Sequence, residues 1–293
     1  MMIGAVEAGG TKMVCGIGNE RGDILERTSF PTSQPAETLE RIISYFRDKP
    51  VDAIGIGSFG PIGLDPARPE YGHITTTPKP GWSGCDFLGT LKREYDVPYG
   101  WDTDVNAAAL GEVIWGAAKG LDSCVYYTIG TGIGMGVVAE GKAVHGLLHP
   151  EAGHIPVRRH PDDAFAGNCP YHGDCLEGMA SGLALERRWG VQGKELPKSH
   201  PAWSLEAYYI GQAVTATVLT LSPKKVIIGG GVMGQNQLYP LIREEVRRNL
   251  RGYISAPELG EGIDRYIVAP GLGSDAGLKG ALALGLNALQ AGS

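Results

Sequence analysis

The chain has 293 residues, enough for two domains, and its 43% hydrophobic and 20% charged residues are typical of globular proteins. A formal net charge of -6 at pH 7 gives no general attraction to nucleic acid. The sequence contains no apolar run of the roughly 18 residues that predict a membrane-spanning helix. Five cysteines, an odd number, and the lack of a basic secretory leader predict a reducing, cytoplasmic setting.

The first half of the sequence predicts strands interrupted by glycine loops. Residues 3–31 predict three strands, with a glycine bend at Ala8-Gly9-Gly10-Thr11 between the first two. Residues 36–47 have the apolar spacing of an amphipathic helix, and residues 53–63 predict a buried strand that ends in a Gly/Pro loop. Residues 97–120 predict a strand followed by a helix that begins at Asp104 or Asn106.

The second half repeats this pattern. Residues 123–146 predict two strands that flank the glycines of 130–134, as residues 3–18 do in the first half. Helices are predicted at 205–221 and 237–250, a strand and glycine loop at 224–233, and a strand, loop and helix at 266–289. This repetition predicts an α/β fold with two duplicated domains facing each other across a cleft. We expect residues 1–115, with about 278–293, to form the first domain, and residues 116–277 the second.

Three glycine loops are candidate nucleotide-binding segments. In Glu7-Ala-Gly-Gly-Thr-Lys12, adjacent glycines let backbone N–H groups face an anion, and Thr11 and Lys12 add a hydroxyl and a positive charge. An ordinary hairpin turn explains that segment equally well. The loop at 130–134 has the same context, so two such loops would hold a phosphate chain from opposite walls of a cleft. At 229–231, three glycines after an apolar strand would let a flat group approach the backbone.

The segment Asp102-Thr103-Asp104-Val105-Asn106 lies where a predicted strand ends and a helix begins. Ligands of α/β proteins usually bind at this end of a strand. Helix capping is the simpler role for Asp104. A carboxylate in this position is also suited to accept a proton from a substrate hydroxyl.

The segment Asn168-Cys-Pro-Tyr-His-Gly-Asp-Cys175 is a candidate metal site. Cys169, His172 and Cys175 are three residues apart and can supply three zinc ligands, but zinc needs a fourth. A disulfide does not suit a reducing setting, and a redox pair would favour Cys-x-x-Cys. From the residues alone, other histidines remain alternatives for the fourth ligand, in loop-like sequence that predicts exposure: His145, His149 and His160.

Taken together and in this order, these segments resemble the ROK family of sugar kinases and repressors, which belongs to the actin/hexokinase-like superfamily. The resemblance covers essentially the whole chain. Residues 7–12 are similar to the family's phosphate-1 loop, 130–134 to its phosphate-2 loop, 228–232 to its adenosine segment and 272–277 to its closing loop. Glu151-Ala-Gly-His154 is similar to its E-x-G-H sugar motif, and Cys175-Leu-Glu177 to its C-x-E motif.

The resemblance implies two actin-like (ribonuclease-H-like) α/β domains, ATP and Mg²⁺ as cofactors, a structural zinc, and a homodimer. It implies Asp104 as catalytic base and Glu7 as a magnesium ligand through water. The residues implied to bind ATP are Gly9, Gly10, Thr11, Lys12, Thr131, Gly132, Gly134, Gly229, Gly230 and Gly231. Those implied to bind sugar are Gly60, Thr103, Glu151, His154 and Glu177. The implied zinc ligands are His154, Cys169, His172 and Cys175.

The chain departs from the family pattern at several positions. Glu7 stands where relatives commonly have Asp, and Thr103-Asp104 replaces an Asn-Asp pair. Together with the metal segment, these departures resemble the bacterial fructokinase branch, so phosphorylation of fructose to fructose 6-phosphate is expected. Glucose, mannose or an N-acetylhexosamine remain alternative substrates. A non-catalytic sugar sensor is the other alternative, although we expect no room for the repressors' DNA-binding segment before residue 7.

Overall fold

The computed structural model describes residues 1–291, which form two compact units. Unit 1 contains Met1–Asp122, Gly136–Pro150 and the segment from Gly271 onward, and unit 2 contains Ser123–Met135 and Glu151–Pro270. The predicted bounds differ from these units, because the chain returns to unit 1 after Met135 and stays there to Pro150. Residues 292–293, which we assigned to the first domain, lie outside the described residues.

The secondary structure of residues 1–291 alternates strands with helices. The strands are β1 (Ile3–Ala8), β2 (Lys12–Gly18), β3 (Ile24–Pro31), β4 (Ala53–Ser58), β5 (His73–Ile74), β6 (Cys85–Asp86), β7 (Tyr99–Thr103), β8 (Cys124–Ile129), β9 (Ile133–Ala139), β10 (Lys142–Ala143), β11 (Val226–Gly229) and β12 (Ile267–Val268). The α-helices are α1 (Pro35–Phe46), α2 (Phe87–Lys92), α3 (Asp104–Trp115), α4 (Leu176–Ala180), α5 (Gly182–Trp189), α6 (Ala202–Leu221), α7 (Leu238–Leu250), α8 (Ile263–Tyr266) and α9 (Ala276–Ala291). The α/β fold class is therefore confirmed.

Unit 1 is built on a five-stranded sheet in the order β3-β2-β1-β4-β7. β1 is antiparallel to β2 and parallel to β4, and β4 is parallel to β7. Alternate residues of β1 face opposite sides of the sheet: Ile3 and Ala5 pack with residues of α9, whereas Val6 and Ala8 join the core formed with α1. The parallel strands β1, β4 and β7 all end at one edge, and that edge carries the candidate residues of this unit.

Helix α9 lies directly against the central strands of unit 1. A Cβ atom added at Gly55 of β4 would overlap the carbonyl oxygen of Ala281 in α9, and one at Gly100 of β7 would overlap Leu284. Close approach of the two backbones therefore requires glycine at these two strand positions.

Substitution of Gly55 by Ala is expected to destabilise the protein. Because the added methyl group meets backbone rather than a flexible side chain, α9 must shift, which costs about 1–3 kcal/mol of unfolding free energy or more. Urea unfolding of the purified variant measures this change. The matched control is Gly234→Ala, at the end of the 3₁₀ helix Gly231–Gly234, where a Cβ would meet no atom within 4 Å. Equal stability of the two variants would contradict the expected close packing.

Unit 2 contains a parallel arrangement in which β11 pairs with β8 on one side and with β12 on the other. β9 neighbours β8 on the side opposite β11. The longest helix, α6, has a largely buried surface that includes Trp203, Tyr209 and Ile210. No helix in residues 1–291 is both long and apolar enough to span a membrane.

Candidate functional site

The turn between β1 and β2 is held by a backbone hydrogen bond of its own and by the side chain of Thr32. The Gly9 amide donates to the Lys12 carbonyl oxygen at 3.1 Å, and the Thr32 hydroxyl donates to the Gly9 carbonyl oxygen at 2.7 Å. Gly10, Thr11 and Lys12 are exposed at the tip of the turn. The predicted phosphate-1 residues thus form one tight turn whose exposed side carries a hydroxyl and an ammonium group, both suited to an anion.

Glu7 lies on the face of β1 that points toward the start of α9. A Cβ at Gly277 would overlap the Glu7 carboxyl, so the two residues are in contact. Burial raises the pKa of the Glu7 carboxyl, Lys12 lowers it, and Asp275 raises it further. Asp275 in turn accepts from the Arg27 side chain at 2.7 Å, so the Glu7 carboxyl lies among charged groups of both signs, and its assignment to magnesium rests on the family resemblance.

Asp104 is the first residue of α3, and the N-cap is Thr103, whose hydroxyl accepts from the Asn106 amide at 3.1 Å. The simpler expectation that Asp104 caps this helix is therefore wrong. One Asp104 carboxylate oxygen accepts from the Val105 amide at 2.9 Å. Because Thr103 caps α3, it fixes where the helix begins and therefore where Asp104 lies. A negative side chain is favoured at this end of a helix.

Asp102, two residues earlier, is buried and organises a hydrogen-bond network. One carboxylate oxygen accepts from the Thr103 amide at 2.7 Å and from the Asn106 side-chain amide at 2.9 Å. The other oxygen is 2.8 Å from Nε2 of His145. Asn106 in turn accepts from the Val137 amide at 3.0 Å. This network fixes the junction of β7 and α3, and hence the residue between them, Asp104.

The sequence does not predict this network. Asp102 is predicted only as part of the segment that includes Asp104, and His145 only as an alternative metal ligand. The two residues are 43 positions apart, so no local pattern could have paired them. The signal was an Asp at the end of a buried strand, a position where an unpaired carboxylate would be costly.

A cavity of about 400 Å³ lies beside His145 in unit 1. Its lining includes backbone and side chains of two segments, with both charged and apolar groups: Gly63, Leu64, Asp65, Arg68, Glu70, Thr75, His145, Gly146, Leu147 and Leu148. None of the five predicted sugar-binding residues lines this cavity, so it is not assigned to the sugar.

The Asp102–His145 pair predicts a dependence of stability on pH. The hydrogen bond to Asp102 raises the pKa of His145 above its usual value near 6.5. The contribution of the Asp102–His145 pair to the free energy of unfolding is therefore fully present below about pH 6.5. It is lost as the pH rises through the raised pKa of His145 in the folded protein. His145→Gln is expected to lose more unfolding free energy at pH 5.5 than at pH 9 in urea titrations, by less than about 1 kcal/mol because the ring is half exposed. An equal loss at both pH values would contradict the pairing.

His149 is buried, contrary to the expectation that it is exposed. Its Nε2 accepts from the Ile62 amide at 3.1 Å, and desolvation lowers its pKa. A Cβ placed on Gly60 would lie 3.3 Å from this ring. Gly60, a predicted sugar-binding residue, therefore belongs to a loop that packs on His149. The third alternative ligand, His160, is only partly exposed and stacks edge-on against Tyr208.

In unit 2, two of the predicted nucleotide segments line one cavity of about 590 Å³. Gly130 and Thr131 of the second glycine turn lie on its wall together with Gly231. Gly230, with φ of +94°, packs against the Ile129 backbone, so it shapes the loop that brings Gly231 to the cavity. Val232, from the predicted adenosine segment, lines it too. The lining residues that the sequence did not predict come mainly from α5 and the segment after it: Gly182, Leu183, Leu185, Glu186, Gln192, Gly193, Lys194, Trp203, Gly234 and Gln235.

The turn at Gly130–Gly132 is fixed by three hydrogen bonds. The Gly130 amide donates to the Gly132 carbonyl oxygen at 2.9 Å, and the Gly182 amide donates to the Gly130 carbonyl oxygen at 2.7 Å. The third bond comes from the Ile133 amide, which donates to Oε2 of Glu177 at 2.9 Å. Gly134 follows within β9, so only the first part of the predicted phosphate-2 loop forms the turn.

His154, Cys169, His172 and Cys175 form a compact cluster whose ligand atoms all lie within 4.8 Å of one another. Nδ1 of His154 is 3.6 Å from the sulfur atoms of both cysteines, and Nδ1 of His172 is 3.6 Å from that of Cys169. Burial raises the pKa of the Cys175 thiol to about 11, so a metal is needed to hold it as a thiolate near neutral pH. Two thiols and two imidazoles are the donor set of a closed tetrahedral zinc site. The predicted four residues therefore fit a zinc ion.

Glu151 and Glu177 lie near this cluster. Glu151 precedes the short 3₁₀ turn Ala152–His154, and its carbonyl oxygen accepts from the His154 amide at 3.0 Å. Glu177 is in the first turn of α4, directly after Cys175 and Leu176. Desolvation, and then the charge of Glu177, raises the pKa of Glu151 to about 7. The two predicted sugar-binding carboxyl groups are thus close enough to interact electrostatically.

Comparison with known proteins finds a family and relatives that match nearly the whole chain. The ROK family model matches residues 3–288. A fructokinase of Pediococcus pentosaceus is 49% identical over 290 residues, which cover 99% of each chain. A fructokinase of Streptococcus mutans serotype c is 42% identical over 274 residues, 92% of each chain.

Two solved structures are similar over nearly the whole chain. A ROK hexokinase from Thermus thermophilus has a TM-score of 0.81 at 28% identity, and the match covers 99% of this chain and 100% of that one. A ROK family glucokinase from Streptomyces griseus, in complex with glucose and AMPPNP, has a TM-score of 0.78 at 27% identity over 98% and 100% of the two chains.

Proposed function

The chain belongs to the ROK family, and from this premise we propose that it is an ATP-dependent fructokinase that makes fructose 6-phosphate. The observation that carries the proposal is its 49% identity, over 99% of both chains, to a fructokinase. The hydrogen-bonded glycine turns, the cavity beside the second turn and the paired carboxylates support a phosphoryl transfer to a sugar hydroxyl.

The first part of the proposal assigns nucleotide binding. The cavity of unit 2 receives the nucleoside, and the turn at Gly130–Gly132 binds its phosphates through backbone amides. In unit 1, Lys12 and the turn before it bind the phosphate chain as well. Mg²⁺ neutralises phosphate charge in this reaction class, and Glu7 is the residue that would hold it, through water.

The second part assigns the chemistry to Asp104. Its carboxylate accepts the proton of the fructose 6-hydroxyl while that oxygen forms a bond to the γ-phosphorus and the bond between the γ-phosphorus and the β,γ-bridging oxygen breaks, releasing ADP. Little negative charge builds up on the attacking oxygen in a loose transition state, so positioning contributes more than basicity. The Asp102 network, which fixes the start of α3, supplies that positioning.

The third part assigns sugar binding to Gly60, Thr103, Glu151, His154 and Glu177. Carboxylates and a fixed imidazole accept and donate hydrogen bonds to sugar hydroxyls, and they reject ligands that lack the matching group. His154 Nδ1 faces the cysteines, which leaves Nε2 as the nitrogen for a hydroxyl. A zinc ion bound by His154, Cys169, His172 and Cys175 would have a structural role, because four protein ligands leave no open position.

We also propose that the protein is cytoplasmic and forms a homodimer, as the reducing setting implied by its cysteines and its family membership suggest. A kinase for another hexose is the second candidate function, favoured by the similarity to a glucokinase structure at 27% identity.

Release of ADP in a coupled assay over fructose, glucose, mannose and N-acetylhexosamines tests both candidates. We expect fructose to have the highest kcat/KM. A higher value for another hexose would replace the substrate assignment, and no sugar-dependent ADP release would remove the kinase assignment.

A further inference from the structure

Glu177 contacts two parts of unit 2 that the proposed function treats separately. Its backbone follows Cys175, one of the cluster cysteines, by two residues. Its side chain reaches the glycine turn, where Oε2 accepts from the Ile133 amide at 2.9 Å. Ile133 is the residue that directly follows the turn and begins β9. The Glu177 side chain thus connects the segment that carries Cys175 to the proposed phosphate-binding turn.

Gly132 gives independent support for this contact. A Cβ atom on Gly132 would lie 2.5 Å from Oε2 of Glu177, well inside van der Waals contact. The backbone of Gly132 does not have a positive φ, so conformation does not demand glycine here. The missing side chain instead makes room for the Glu177 carboxylate.

The bond to Glu177 differs in kind from the other two bonds of the turn. Those two join backbone groups, Gly130 to Gly132 and Gly182 to Gly130. The bond from Ile133 goes to a carboxylate, and hydrogen bonds to charged groups are about twice as strong as neutral ones. Ile133 is 95% buried, so loss of this bond would also leave its buried amide without a hydrogen-bond acceptor.

We propose that Glu177 is a positioning residue for the nucleotide: through Ile133 it fixes the turn that binds the phosphates, in addition to its proposed contact with the sugar. The inference rests on the proposed function, since it takes that turn as the phosphate site. Because the same carboxylate serves both ligands, sugar binding and nucleotide binding are coupled through it.

The test measures binding of Mg²⁺-AMPPNP by calorimetry with no sugar present, so that sugar contacts do not contribute. Glu177→Ala is expected to weaken AMPPNP binding by about tenfold to a hundredfold, as the loss of a hydrogen bond to a charged group predicts. In Glu177→Gln, the side-chain carbonyl can still accept from the Ile133 amide, but through a neutral hydrogen bond of about half the strength, so AMPPNP affinity is expected to fall by only about threefold to tenfold. The KM for fructose is expected to rise in both variants.

Two further variants separate this role from alternatives. Glu151→Gln changes the neighbouring carboxylate but keeps Glu177, the acceptor from the Ile133 amide, and is expected to raise the fructose KM while AMPPNP affinity stays unchanged. Glu177→Asp keeps the charge but is one methylene group shorter, which withdraws the carboxylate from the Ile133 amide, and is expected to weaken AMPPNP binding as Glu177→Ala does. Glu177→Asp also provides the test if Glu177→Ala does not fold. Metal content and circular dichroism are measured for every variant.

Wild-type AMPPNP affinity in a folded, metal-containing Glu177→Ala would overturn the inference. Equal loss in Glu177→Gln and Glu177→Ala would also overturn it, because the hydrogen bond to Ile133 would then not be the cause. Failure of the proposed function is a different result: wild-type protein that binds no AMPPNP refutes nucleotide binding altogether. Wild-type protein that binds AMPPNP but phosphorylates another hexose leaves the inference intact.

Discussion

Asp104→Asn is expected to lower kcat for fructose phosphorylation by about 10²- to 10⁴-fold, the range that general base catalysis contributes. Asparagine keeps the size and helix position of the side chain but cannot take the proton of the sugar hydroxyl. The amide oxygen still accepts hydrogen bonds, so the Kd values for fructose and for AMPPNP are expected to change by less than about threefold. Coupled ADP release gives kcat, and calorimetry gives the two Kd values.

Asp162→Asn is the matched control for Asp104→Asn. Asp162 has a 91% exposed side chain and lies outside the proposed site, so its kcat is expected to equal that of wild type. A kcat for Asp104→Asn within a few-fold of wild type would refute its assignment as the base. A large rise in the Kd for fructose with little change in kcat would instead make Asp104 a sugar-binding residue.

Removal of the metal is expected to have the second large effect. We expect wild-type protein to retain the proposed zinc through gel filtration, and Cys175→Ser, which replaces one of the four cluster residues, to lose it. Because metal binding free energy contributes to folding, the melting temperature is expected to fall by at least about 5 °C. Activity should be lost as well, because Glu177 follows Cys175 by two residues and depends on the same segment for its position.

Cys85→Ser is the control for this experiment. Cys85 is half buried in unit 1 and is not part of the cluster, so this variant should keep one zinc per chain and its activity. Zinc content by mass spectrometry and melting temperature by calorimetry distinguish the two variants. A metal-free Cys175→Ser protein with full activity and an unchanged melting temperature would contradict a structural zinc.

The features predicted best from the sequence are those encoded in short segments. The glycine turns at residues 9–11 and 130–132 lie between strands as expected, because adjacent glycines and β-rich flanks define such a turn locally. Three members of the compact Cys/His cluster, Cys169, His172 and Cys175, could be recognised from their spacing, whereas the fourth, His154, required the family resemblance.

The features that sequence reasoning missed depend on contacts between distant segments. His145 is paired with Asp102, 43 positions away in the sequence, and His149 is paired with Ile62, 87 positions away. The residues next to each histidine in the sequence therefore predict neither its partner nor its burial. The capping of α3 by Thr103 rather than Asp104 differs by one position, which is the usual limit of reading a helix start from sequence. The unit bounds were displaced because the chain returns to unit 1 along β9.

The close packing of α9 on β4 and β7 has a consequence for how the protein is made. Helix α9 follows every residue of unit 2 in the chain. It nevertheless packs against strands of the first half of the chain, where Gly55 and Gly100 allow its close approach. During synthesis, the first strands therefore leave the ribosome long before the helix that covers one face of their sheet. Unit 2 can fold while it emerges, but unit 1 must wait, with Ile3 and Ala5 uncovered, until α9 is released. In this interval we expect unit 1 to depend most on chaperones and to be most prone to aggregation.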